Sequence, residues 1–330
     1  MNSIVAGTGM YVPPRVLTNA DLERIVETSD EWIVERTGIR ERRIALPDQA
    51  TTDLAEVASK QALENAGVRP EGLDLIVLCT VGPDRVIPPS ACELQHRLGA
   101  TNAAAFDLNA ACTGFLYGLA VADQFVASGV CRAALVVGAE TLSRLTDYTD
   151  RSTCVLFGDG AGAVVLVPSP VRERGVLSFC LGSDGSGADL LQVPAGGSRM
   201  PASRETVENR LHYIKMKGNE VFKLAVRGMV KSVDEALKRA CLARSDIDWV
   251  IPHQANRRII EATAQRLGVP LDRVIVNIDR YGNTAAASIP IALAEAATSG
   301  LIKDGQVVVM VGFGAGLTWG SVVLRWKGVS

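Results

Sequence analysis

Residues 62–79, ALENAGVRPEGLDLIVLC, return 174 positions later as residues 236–253, ALKRACLARSDIDWVIPH. Each copy reads as a helix, a turn, an acidic residue (Asp74 or Asp248) and an apolar run long enough for one buried strand. A second pair lies downstream. Residues 112–129 and 283–300 match at an offset of 171, ending in Ala127-Ser128-Gly129 and Thr298-Ser299-Gly300, and each precedes a further apolar run, 133–138 or 307–311. Helix, turn and strand repeated at this interval describe a duplicated α/β protein. The expected halves are 1–170 and 171–330, packed as one body because no long linker divides them.

Outward from the repeat, apolar runs at 74–80, 103–108, 133–138, 161–167, 274–278 and 307–311 alternate with helical patterns. Continuous β-branched runs predict strands covered on both faces. The 330 residues are 48% hydrophobic and 21% charged, which excludes disorder as the main state. Aromatics are only 5%, so the core is expected to be aliphatic and rich in Ala and Gly. Thirty-four basic against 36 acidic side chains give a net charge of −2, which offers no support for nucleic-acid binding. The 18 uncharged residues between Gln306 and Arg325 are broken by Gly312, Gly314, Gly316 and Gly320. They read as two strands joined by a glycine-rich loop, so no membrane association is expected. The start, MNSIVAGTGMYVPP, has no basic segment ahead of a long apolar stretch. Seven cysteines, an odd number without any C-x-x-C pair, form neither a disulfide framework nor a metal pattern. A reducing cytoplasmic compartment fits that usage.

The repeat also places chemistry. By the two offsets, Cys112 corresponds to Asn283 and Cys79 to His253. Strand-to-helix junctions are where α/β proteins build sites. Cys112, in DLNAACTGFLYGLA, stands at an expected helix start whose free amides lower a thiol pKa. It is either a nucleophile or a buried structural cysteine. His253 ends a strand at a loop mouth, whereas His96 and His212 lie in polar or boundary contexts. Asn283, in RYGNTAAASIP, is a helix cap, an amide donor to a developing oxyanion, or both. The loop 312–320, GFGAGLTWG, lets backbone amides approach a ligand but lacks the Lys-Ser/Thr ending of a phosphate loop. Thr28 and Glu31 have capping-box spacing, and Trp32 and Arg36 then share a helix face. That pair either packs as a tryptophan under an arginine stem or sandwiches a planar base.

With their surroundings AACTGF, PHQAN and YGNTAAASIP, and with GFGAGLTWGS near the end, Cys112, His253 and Asn283 resemble β-ketoacyl-acyl carrier protein synthase III. SDEWIVERTGIRERRI at 29–44, FGDGAGAVVL at 157–166 and GNEVFKLAV at 218–226 extend the likeness over essentially the whole chain. The resemblance implies the thiolase fold, a duplicated five-layered α/β/α/β/α body. It implies that Cys112 takes an acyl group from acyl-coenzyme A, and that decarboxylation of malonyl-acyl carrier protein supplies the attacking enolate. It assigns His253 and Asn283 to the enolate, and the backbone amides of Cys112 and Ala315 to the oxyanion. Trp32, Arg36, Arg151, Asn219 and Asn256 are implied for coenzyme A. Gln254, Ala255, Asn256, Arg257, Arg258 and Lys223 are implied for the carrier, and Ile87, Leu142 and Phe157 for the acyl pocket. Ile87 would reach the pocket of the neighbouring subunit of a homodimer. No metal or cofactor is implied, acyl-coenzyme A being a substrate.

Relatives fit less well. Thiolases carry a second cysteine in the C-terminal glycine-rich loop, and 312–320 has none. Elongating ketosynthases use a second histidine, where this chain has Asn283. A specialised condensing enzyme of secondary metabolism and a non-catalytic coenzyme A-binding protein are the alternatives.

Overall fold

The computed structural model describes residues 2–171 and 173–327, all but Asn219 down to the side chain. Its first main sheet contains Ser3–Tyr11 (β1), Leu75–Cys79 (β2), Ala104–Leu108 (β3), Ala134–Thr141 (β4) and Asp159–Pro168 (β5), in the order β1-β5-β4-β2-β3. The second contains Gly175–Ser183 (β6), Trp249–Pro252 (β7), Val307–Gly314 (β8) and Thr318–Arg325 (β9), in the order β7-β8-β9-β6. In each sheet the repeated strand, β2 or β7, runs parallel to the strand that follows the second repeat, β4 or β8. Asp74 and Asp248 act alike: each carboxylate accepts backbone N–H groups at the start of that neighbouring run, from Arg132 and Ala133 or from Val307.

The helices are Asp30–Thr37 (α1), Thr51–Ala66 (α2), Ser90–Leu98 (α3), Gly114–Ala127 (α4), Gly218–Arg239 (α5), Arg257–Leu267 (α6) and Ser288–Thr298 (α7), beside shorter turns. α4 and α7 lie between the sheets and touch both. α2 and α3 cover the outer face of the first sheet, and α5, with α6 packed on it, covers the second. The result is five layers, α/β/α/β/α. All five side chains of β2 are buried, as a strand covered on both faces requires. Glycine permits the close approach of the middle layer. A Cβ at Gly138 on β4 would lie 2.3 Å from the Ala286 carbonyl oxygen, and one at Gly162 on β5 would lie 2.5 Å from the Ile291 nitrogen.

Four sequence expectations change. The run 274–278 is a bridge at Val274 to Val250 and not a strand. The Gln254 side chain accepts from Asn277 N–H and donates to Ile275 O, taking the groups a ladder would use. The run 103–108 gives β3, but as a half-exposed edge strand. The loop 312–320 shrinks to 315–317, because β8 continues to Gly314 and β9 resumes at Thr318. Finally, the cap of α1 is Ser29, which accepts from Trp32 N–H, while Thr28 Oγ1 has no partner among the described residues.

The correspondence of Cys112 with Asn283 is also replaced. Ala111 and Ala285 share a rare left-handed backbone, φ 48° and 39°, and stand 174 apart. Their amides donate to Asn109 Oδ1 and Asn283 Oδ1, at 3.1 and 2.9 Å. Asn283 therefore matches Asn109, and Cys112 matches Ala286. The offset of 171 arises because α7 has 11 residues where α4 has 14, about one turn less.

Candidate active site

Cys112 sits in the tight turn Ala111–Thr113 between β3 and α4. The left-handed Ala111 ahead of it is strained for a residue with a Cβ, and such strain concentrates where geometry is functional. The space around the turn is filled closely. A Cβ at Gly314 would lie 2.8 Å from the Cys112 nitrogen, so glycine is what lets the end of β8 run beside the cysteine. Cys112 is 8% exposed. Burial pushes its thiol up to about 12, and Glu140 adds to the rise. The lowering expected from the helix start is thus overridden by loss of hydration. Glu140 is itself fully buried, and burial raises its carboxyl to about 8. It accepts from Thr80 Oγ1 and from Val81 N–H, which holds the start of the loop after β2.

His253 ends β7, its N–H donating to Val311 O at 2.8 Å. The ring is 2% exposed, and neither nitrogen has a hydrogen-bond partner among the described residues. Burial drops it to about 3, so it is a neutral imidazole. Buried polar atoms are nearly always paired, and two orphaned ring nitrogens facing a cavity are groups held ready for a ligand. Asn283 is pinned on both backbone sides, by Leu156 O and by Gly158 N–H. Its Oδ1 is committed to Ala285 N–H, so what it can offer a ligand is the Nδ2 donor.

Two cavities meet at Cys112. One, of about 510 Å³, is lined by Trp32, Arg36, Lys223 and Arg258 at one end and by Cys112, His253 and Asn283. The other, of about 400 Å³, is lined by Cys112, Leu142, Phe157 and Ala315 together with Leu191 and Ile214. A larger open groove of about 730 Å³, beside Trp249, Leu271 and Arg280, contains none of these residues. Among the described residues no group of His, Cys, Asp and Glu is placed to hold a metal, and no helix is long and apolar enough to cross a membrane.

The remaining candidates separate. Arg36 and Arg151 both approach the Trp32 ring, their guanidinium carbons 5.9 and 4.5 Å from its centroid. Arg258 lies 5.8 Å over Phe222. Asn256 caps α6 through Arg258 N–H and donates to Arg36 O. Arg257 pairs with Glu261 on the exposed face of α6, and Ala255 lines the first cavity. The Asn219 side chain lies outside the described part. Gln254 does not belong with the carrier-facing residues. It is 1% exposed, and its amide is used up on Pro252 O, Ile275 O and Asn277 N–H. Ile87 is 82% exposed and, within one chain, does not line the second cavity. The reading of sequence missed Leu191, Val193 and Ile214, because nothing local marks the segment 184–216 as a cavity wall. Phe313 and Gly314, expected in a ligand-facing loop, do line the first cavity, but from the end of β8.

Comparison with known proteins follows the same lines. Residues 106–185 match the family model for 3-oxoacyl-[acyl-carrier-protein] synthase III, and residues 237–326 match the model for its C-terminal part. The chain is 58% identical over 323 residues to β-ketoacyl-[acyl-carrier-protein] synthase III of Caldanaerobacter subterraneus subsp. tengcongensis, covering 98% of this chain and 97% of that one. The crystal structure of 3-oxoacyl-[acyl-carrier-protein] synthase III from Aquifex aeolicus superposes with a TM-score of 0.90 at 48% identity, covering 98% of this chain and all of that one. The priming β-ketosynthase of the R1128 polyketide pathway gives a TM-score of 0.91 at 39% identity, covering 99% of this chain and 97% of that one. The five layers are therefore the thiolase fold, and the chain belongs to the β-ketoacyl-[acyl-carrier-protein] synthase III family of acyltransferases.

Proposed function

We propose that the chain transfers an acyl group from acyl-coenzyme A to Cys112 Sγ and condenses it with malonyl-acyl carrier protein, giving the 3-ketoacyl-carrier that starts fatty acid synthesis. The observation that carries this is the placing of Cys112 where two cavities meet, one shared with a neutral His253 and with Asn283, the other apolar. In the first half-reaction Sγ attacks the thioester carbonyl. The carbon–sulfur bond to coenzyme A breaks, and the Cys112 proton passes to the departing coenzyme A thiolate. Proton loss is coupled to attack because burial holds the resting thiol protonated. The amides of Cys112 and Ala315 hold the oxyanion. In the second half-reaction malonyl-carrier loses carbon dioxide, and His253 and Asn283 Nδ2 donate to the thioester oxygen as it becomes an enolate. The enolate carbon then attacks the acyl-Cys112 carbonyl, the carbon–sulfur bond to Cys112 breaks, and the released thiolate takes up one proton from solvent.

The first cavity suits coenzyme A. An adenine takes its place on Trp32 with Arg36 or Arg151 above, and phosphates meet the arginines. Carrier docking falls to Arg257, Arg258 and Lys223, with Ala255 and Asn256 at the cavity mouth. Two arginines in the first turn of α6 oppose the helix dipole, and an acidic partner relieves that opposition. Arg258→Glu is expected to raise the KM for malonyl-carrier about 10-fold at low salt, far more than it slows acylation by acyl-coenzyme A. An unaltered carrier KM at low salt removes Arg258 from the docking surface.

Leu142 and Phe157 form the acyl pocket, closed in a homodimer by Ile87 of the other copy. The exposure of Ile87 and the unpaired edge of β3 support that assembly. Ile87→Phe is expected to shift the ratio of acetyl to longer-chain condensation about 10-fold towards acetyl, since a close-packed wall does not absorb added volume. A ratio equal to that of the wild type excludes Ile87 from the wall. The chain is assigned to the cytoplasm, with the halves 1–170 and 171–330 as its two building units.

Radiolabelled acetyl- or isobutyryl-coenzyme A should leave label on the protein, which malonyl-carrier discharges as ketoacyl product. Absence of covalent label points to a binding protein instead. The likeness to the R1128 priming ketosynthase favours, as second reading, a specialised condensing enzyme, and failure to use malonyl-carrier as acceptor would select it.

A further inference from the structure

Two hydroxyls join the turn that carries Cys112 to the hairpin opposite it. Thr113 Oγ1 lies 2.9 Å from Thr318 Oγ1 and 2.8 Å from the Ala110 carbonyl oxygen. Thr318 Oγ1 lies 3.1 Å from Ala110 O and 3.1 Å from Ala315 O. Thr113 is fully buried, and Thr318 stands half-buried in the wall of the apolar cavity. The two threonines are 205 positions apart, one in each half of the chain. A hydroxyl has one proton to donate. One proton therefore closes the Thr113–Thr318 bond, and the other serves a carbonyl, of Ala110 or of Ala315. In either arrangement the pair ties residues 110–113 to residues 315–318.

We propose that Thr113 and Thr318 are positioning residues that fix the separation of the Cys112 and Ala315 amides, and with it the oxyanion hole of acyl transfer. This rests on the reading of Cys112 as the acylated residue and of those two amides as donors. Donors must stand within about 3 Å of the place where the oxyanion forms. These two belong to different halves, so their spacing depends on packing across the boundary. Gly314 allows the approach, since any Cβ there would strike the Cys112 nitrogen. The hydroxyl pair then sets the register of the two turns at the point where Ala315 follows.

The test separates the oxyanion hole from the thiol. Thr318→Val keeps the branched shape and removes the hydroxyl. It is expected to slow single-turnover acylation by acyl-coenzyme A about 10- to 100-fold, the scale of a misplacement of about 1 Å, with KM unchanged. Thr318→Ser keeps the hydroxyl and should restore most of the rate. Alkylation of Cys112 by iodoacetamide, followed on its peptide by mass spectrometry, forms no oxyanion and should proceed at the wild-type rate in both variants. Wild-type acylation in Thr318→Val overturns the proposal. So does a parallel fall in alkylation, which would place the effect on the thiol. Thr113→Val removes the same bond from the other side and serves if Thr318→Val does not fold. Cys112→Ala tests the underlying reading separately: if it still takes covalent label from acyl-coenzyme A, that reading fails whatever the threonines do.

Discussion

Cys112→Ser is expected to lower acyl-enzyme formation by about three decades or more, the loss typical of a removed nucleophile. Three decades correspond to about 4 kcal/mol of barrier. The buried thiol already titrates near 12, and a serine hydroxyl in the same water-poor place is a still weaker acid, so the step that couples proton loss to attack slows sharply. The fold should persist, because oxygen is smaller than sulfur and the turn is held by backbone and threonine contacts rather than by the thiol. Transfer from radiolabelled acyl-coenzyme A, read in a single turnover beside the thermal midpoint, checks both points. Near wild-type acylation in a folded Ser variant would show that Cys112 is a buried bystander.

His253→Ala and Asn283→Ala are expected to keep acylation and to lose malonyl decarboxylation by about 100- to 1,000-fold each, the range for one donor withdrawn from an oxyanion. The motive is geometric: both line the same cavity as Cys112, and the His253 nitrogens have no partner among the described residues. Asn283→Ala also removes the acceptor of Ala285 N–H, so its thermal midpoint should fall while that of His253→Ala changes little. Carbon dioxide release, measured separately from acyl labelling, tests the division of labour, and an equal loss of both half-reactions would contradict it. The pH dependence carries a sign. The folded imidazole titrates near 3 and an unfolded one near 6.5, so between those values the unfolded chain binds the extra proton. Stability therefore declines as pH falls through that window, and His253→Ala should flatten the decline. Across pH 7 to 8 the imidazole stays neutral, and decarboxylation should show no titration of this group.

Much of the molecule was legible along the chain. The repeat at 174 residues appears in the two sheets, because a buried strand covered on both faces leaves a continuous apolar run that no surface element imitates. The meeting of Cys112, His253 and Asn283 at one cavity was legible because strand ends next to small residues leave room for a ligand. The helix face shared by Trp32 and Arg36 followed from helical spacing, and the structure adds Arg151 to it. The offset of 171 misled, since a match at the end of a helix cannot reveal a turn lost from its middle; the backbone at Ala111 and Ala285 decides that register.

Sequence by itself determined the duplicated α/β plan, most of the strands that carry it and the three side chains that meet at one cavity. These depend on local periodicity and on which residue types end a buried strand. Tertiary structure alone decided the state of those side chains. Burial, which is made by distant segments, raises the Cys112 thiol against the pull of its helix start and strips the proton from His253. It also took Gln254 inward and brought Leu191 and Ile214 to the apolar cavity. Desolvation and cavity shape are sums over neighbours far apart in the chain, and no window of sequence contains them.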